Sequence, residues 1–124
     1  MSRSVYLRNA LLDARANNTS FAVAQLYMSL HTADPGVTGA SEASGGSYAR
    51  QSASFGAAAA GVVASDAEIT FATLAAGTYT HFGLWDHLTA GNFIEGGALD
   101  PSKTLDAGDD IVFAIGTVTL TEAA

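Results

Sequence analysis

The chain has 124 residues, of which 48% are hydrophobic, 14% are charged and none is cysteine. That apolar content is enough for a buried core and argues against intrinsic disorder, while the missing cysteines exclude disulfides and thiolate metal sites. A net charge of −7 argues against direct nucleic-acid binding, which needs a basic face, and no apolar run approaches the ~20 residues of a membrane span.

The length suggests one domain. The charge is uneven. Residues 1–17 hold three arginines and one aspartate, a net +2, which leaves −9 for the rest of the chain. The first stretch therefore reads as a solvated helix or as a basic arm, with Arg3, Arg8 and Arg15 placed to meet an acidic neighbour. It shows no compact apolar stretch followed by a small-residue cleavage site, so it does not read as a signal peptide. A surface this poor in charge suits a protein packed against other chains.

In chain order, Ser4 is an N-cap candidate, and Val5, Leu7, Leu11, Leu12 and Ala14 form a rough apolar stripe, which predicts a helix over 4–16. FAVAQLYMSLHT, residues 21–32, alternates with period two and predicts a strand with one buried face. Residues 32–47 then hold no large apolar side chain, with a turn at Asp34-Pro35-Gly36 and flexible SGGS at the end. A loop of this length inside a compact domain is uncommon without a function. Short strands are predicted at 48–55, 67–71, 77–86 and 92–99. The small-residue tract from 56 to 65 reads as an irregular connection, and TAGN as a hairpin turn. In the last segment Ile111, Phe113 and Ile115 share a face, whereas Val118 and Leu120 have the opposite parity, so a bulge at Gly116 is expected. The sum is a mainly β chain: an antiparallel β-sandwich with one short N-terminal α-helix. Residues 1–20 form a helical arm, and 21–124 form the sandwich carrying the loop 32–47.

Chemistry is hard to find. His31, His81 and His87 lack the spacing of a zinc site, and no phosphate loop, metalloprotease helix or nucleophile elbow is present. Asp109 and Asp110 are adjacent, so on a strand they would point to opposite faces, a poor arrangement for a catalytic pair. Neither an enzyme nor a cofactor nor a metal is expected. Trp85, Tyr79 and His81 fall on one predicted strand face and could form an aromatic carbohydrate platform, although a core or an interface is the commoner place for Trp. Tyr48 and Arg50 are two apart, hence on one side of a strand. Arg50 is the only base between Arg15 and Lys103. A charge-assisted contact is therefore expected from it, inside the chain or to a neighbour.

The segment YMSLHTADPGVTGASEASGGSYARQSASFG resembles small tailed-phage virion proteins, most specifically at SGGSYARQ, residues 44–51. THFGLWD, GNFIEGGAL and the stretch PSKTLDAGDDIVFAIGTVTLT extend the likeness over nearly the whole chain. The resemblance implies a virion structural protein without catalysis. Such proteins include capsid decoration (cement) proteins and others labelled tail-fibre proteins. A compact chain with neither repeats nor a shaft fits decoration of the outer capsid surface, with a tail or tail-fibre component as the alternative. The implied partners are the major capsid protein and other copies of the chain, a trimer being the preferred arrangement, with neither nucleic acid nor membrane. Arg3, Arg8, Arg15, Asp34, Pro35, Tyr48, Arg50 and Trp85 are the candidate interface residues. The loop 32–47 is expected to be an uncovered strap that orders on the particle.

Overall fold

The structure, a computed structural model, describes residues 2–121. It is mainly β, with antiparallel pairing throughout and one helix. After a two-residue strand β1 (Ser2–Arg3) comes α1 (Val5–Ala16). Ser4 caps the helix as expected, its hydroxyl accepting from the Leu7 amide at 3.0 Å. Of the helix side chains only Leu7 is buried, because α1 lies against the body along one narrow line.

Strands β2 (Leu26–His31), β3 (Gln51–Ala53), β6 (Gly77–Trp85) and β7 (Phe93–Leu105) join β1 in a five-stranded sheet of order β1-β7-β6-β2-β3. Two short ladders, β4 (Val62–Ala64) with β9 (Thr119–Thr121) and β5 (Ile69–Phe71) with β8 (Ile111–Phe113), complete the sandwich. The core lies between these ladders and the sheet: Met28, Leu30, Phe82 and Leu84 come from the sheet, and Ile69, Phe71, Ile111 and Val118 from the other side.

Several expectations need correction. The strand predicted over 21–32 begins only at Leu26, and both of its faces are buried: Met28 and Leu30 face the core, and Ser29 and His31 are equally enclosed on the other side. A second layer on that side, described below, overrides the one-sided pattern. Strand β6 shifts register between Tyr79 and His81. This bulge turns Tyr79 into the core, away from the face it was expected to share with His81 and Trp85. The strand predicted over 92–99 continues to Leu105, past Pro101. A proline is tolerated there because it sits in the same irregularity, where the ladder makes no demand on its missing N–H. The expected bulge at Gly116 is instead a turn. The Thr117 amide donates to the Ala114 carbonyl, and Gly116 and Val118 donate to the Ser65 hydroxyl. The parity changes because β8 and β9 are separate strands with different partners. The tract 56–65 is irregular only up to Gly61, since Val62–Ala64 within it form β4, paired with β9; the turn before Asn92 does have positive φ at Ala90 and Gly91, as hairpin chemistry asks.

Candidate functional site

The loop 32–47 is not an uncovered strap. It folds back across the outer face of the sheet and closes a polar and aromatic layer there. Its second half runs back along the end of β2: the Thr32 amide donates to the Ser41 carbonyl, the Ala43 amide donates to the Leu30 carbonyl, and His31 and Glu42 form an antiparallel bridge. The Ser47 amide reaches the Thr73 carbonyl. Asp34 is exposed and accepts from the Gly36 amide at 2.8 Å, an Asx turn that delivers Pro35 to a fully buried position against Gly96. Gly39 lies flat on the indole of Trp85. Its φ is +79°, and a Cβ there would sit 2.6 Å from Trp85 Cζ2, so the turn and the contact both require glycine.

Under the loop runs a chain of hydrogen bonds. Trp85 Nε1–H donates to Ser29 Oγ at 2.9 Å, Ser29 Oγ meets His31 Nε2 at 2.7 Å, and His31 Nδ1 meets the Ala40 carbonyl at 2.7 Å. A carbonyl only accepts, so the proton of the neutral imidazole is on Nδ1, and Nε2 accepts from the serine. Burial lowers the pKa of His31, against a smaller opposing pull from the Ala40 carbonyl. Every group in the chain is satisfied with a neutral ring. Gly83 makes room for it, since a Cβ there would lie 2.6 Å from Ser29 Oγ and 2.8 Å from His31 Nε2. A serine touching a histidine has the outline of a nucleophile and its base. Here both side chains are sealed beneath the loop and the hydroxyl is already held by Trp85, so the pair serves as structure.

Beside this layer, Arg50 joins three segments. Its Nε and Nη2 donate to the two carboxylate oxygens of Glu42 at 2.9 and 2.8 Å, a bidentate pair. Its Nη1 donates to the carbonyls of His87 and Ala90 at 3.0 and 2.8 Å, in the β6–β7 hairpin. The guanidinium lies 3.7 Å above the Trp85 ring. Tyr48 completes the knot: its hydroxyl donates to Glu42 Oε2 at 2.7 Å and accepts from the Leu30 amide at 3.2 Å. Burial by itself would raise the pKa of Glu42, but the hydrogen bonds from Arg50 and Tyr48 outweigh it and hold the carboxyl below its ordinary range. Burial and the neighbouring carboxylate push the Tyr48 phenol upward. In the hairpin, Asp86 accepts from the side chain and amide of Asn92 and from His87. These bonds overcome the cost of its burial and keep it ionised below the usual carboxylate range.

Of the candidate interface residues, the structure brings four together: Pro35, Tyr48, Arg50 and Trp85 all belong to this loop-and-hairpin knot. Asp34 marks its rim. The charge-assisted contact of Arg50 is made within the chain. Arg3, Arg8 and Arg15 lie apart. Arg3 is half-buried in β1, 4.0 Å from Glu95, and Arg8 and Arg15 stand exposed on α1. Glu42, Ser29 and His31 were missed. Glu42 had a signal, being the only acid between Asp34 and Asp66, as Arg50 is the only base in its own stretch. Ser29 and His31 had a weaker one, two polar residues of one parity in an apolar strand. Among the described residues no group of three side chains could hold a metal ion.

The fold and this knot define a small β-rich structural module whose polar groups are spent on holding two loops in place. A family model described as podophage GP4 fiber I protein gp80 matches residues 2–121, so the chain belongs to that family, in keeping with the likeness of its SGGSYARQ segment to small tailed-phage virion structural proteins. No curated protein matches the chain.

Proposed function

We propose that this protein is a non-enzymatic building block on the outside of the phage particle, and that its station is the fibre apparatus rather than the head wall. The observation that carries the reading is the family match over nearly the whole chain, to a family described by a fibre protein. The fold supports a structural role, because its buried polar groups position loops instead of converging on an open cleft. In this reading α1 is the attachment element and the knotted loop end is held rigid at low entropic cost for a neighbouring protein. Partners are other virion proteins and further copies of the chain, with neither nucleic acid nor membrane among them.

Capsid decoration is the second reading, favoured by the absence of a repetitive or elongated shaft among the described residues. There the protein would bind only the assembled lattice and stabilise it by mass action, with the major capsid protein as its partner. Copy number per virion, measured by mass spectrometry, separates the two: a handful of copies means fibres and hundreds mean the shell. Particles lacking the protein should keep their heat resistance but adsorb poorly to cells. Early release of DNA on heating, with normal adsorption, would reverse the order of the two readings.

A further inference from the structure

Two exposed patches on this chain complement one another. On α1, Val5, Arg8, Leu12 and Arg15 are spaced three, four and three apart and so share one face, with Val5 and Leu12 turned away from the buried Leu7 and the two arginines along its flank. Val5 is 51% and Leu12 49% exposed, and neither Arg8 nor Arg15 has an acidic partner among the described residues. The second patch is the outer side of the β5–β8 ladder. Val112 points outward between buried Ile111 and half-buried Phe113, directly across from Thr70, and is 53% exposed; Ile115 in the following turn is 66% exposed. By strand alternation Glu68 shares the outward face with Thr70, and Asp110 shares it with Val112. Asp106 and Asp109 lie in the turn that leads into β8. The α1 patch is apolar with basic flanks, and the ladder patch is apolar with Glu68, Asp106, Asp109 and Asp110 on one side and Arg3 and Lys103 across the cleft that Val112 lines on the other.

We propose that the outer face of α1 in one copy docks on the outer face of the β5–β8 ladder in a second copy. The match is electrostatic as well as apolar: the arm carries +2 and the remainder of each chain −9. Among the described residues nothing covers either patch, so the pairing is left for a neighbour. The contact joins unlike surfaces, and each copy therefore offers one face and accepts the other, which builds rings where the rotation closes. This deepens the building-block reading and rests on it, yet it is tested on the purified full chain without particles, so its failure leaves the virion station untouched.

The test uses sedimentation velocity over a concentration series at low and high salt. Wild-type protein should associate, and less so as salt rises, because exposed charges are screened within about 10 Å at 0.1 M. Arg8→Glu with Arg15→Glu, and separately Glu68→Lys with Asp106→Lys, should each weaken association at least ~10-fold. Those side chains hold no element together, and unchanged thermal unfolding of each variant confirms that only a surface was altered. An equimolar mixture of the two variants should recover association, since each reversed face then meets an opposite charge. Leu12→Ser reads the same helix face without a change of charge and should weaken association too. The proposal is overturned by a wild-type monomer at every concentration, by either double variant associating like wild type, or by a mixture no better than its parts.

Discussion

Arg50→Ala would strip the Glu42 carboxylate of its charged partner, leaving it only the Tyr48 hydroxyl, take the Arg50 donor from the carbonyls of His87 and Ala90, and uncover the Trp85 ring. Breaking one side of a buried ion pair costs about 3 kcal/mol at the lower end of its range, and the lower end applies because Glu42 keeps some contact with water. For a chain of this size that lowers the thermal midpoint by ~10 °C or more, measurable by calorimetry. Arg50→Lys should recover little, since a lysine lacks the fork that fits a carboxylate and two carbonyls together. Acid acts through the neighbouring groups. The pKa of His31 is lowered by burial, so below its ordinary value of 6.5 the unfolded chain takes up a proton that the folded chain refuses. The stability tied to His31 is complete above that pH and falls as the pH drops toward the folded pKa. Glu42 is also depressed, so its contribution is complete above about pH 4.5 and is lost further into acid. Thermal midpoints should therefore decline as the pH drops below about 6.5, the ordinary imidazole value. His31→Gln should flatten that decline; an unchanged slope would mean that another group drives it. The Arg50 contact was legible because a lone base in an acidic chain must go somewhere. Its acceptors were not legible, because two of them are backbone carbonyls 37 and 40 residues away, and a carbonyl has no sequence signature.

At the scale of elements, the loop 32–47 behaves as a third layer. Its anchoring amides, those of Thr32, Ala43 and Ser47, should exchange slowly in the free protein, with Asp34 and Val37 in the exposed remainder. Uniform fast exchange across 32–47 would mean the layer is open in solution. Gly39→Ala should lift the loop from Trp85, because the added methyl has neither the backbone angle nor the space it needs. Trp85 is the only tryptophan, so a red shift of the intrinsic fluorescence, with lower stability, reports the change directly. Composition alone made this segment look uncovered, since it lacks large apolar anchors. What it has instead is glycine and proline, whose shapes let backbone lie on indole, and a glutamate that reaches back to Arg50. The loop works through close approach and hydrogen bonds, and a hydrophobic pattern registers neither.

For the whole molecule, the division between a lightly attached helix and a well-packed body sets the response to substitution. Leu7→Ala should cost roughly 2–3 kcal/mol, the lower part of the range for a buried leucine. Leu12→Ala, on the exposed face, should stay within about 0.5 kcal/mol. Chemical unfolding of the two variants makes the comparison, and equal losses would place α1 deeper in the body than its contacts indicate. The sequence by itself determined the class: a β-rich chain with one capped N-terminal helix, strands at β2, β5 and β6, and a hairpin turn at residues 89–92. These follow from local rules of period, capping and turn chemistry that act over a few residues. Only the tertiary structure decided that both faces of β2 are buried, that Tyr79 turns inward, that the chain reverses at Gly116, and that the loop 32–47 closes over Trp85 instead of hanging free. Each of those depends on what lies across the sheet, and contacts between residues far apart in the chain leave no periodic trace along it.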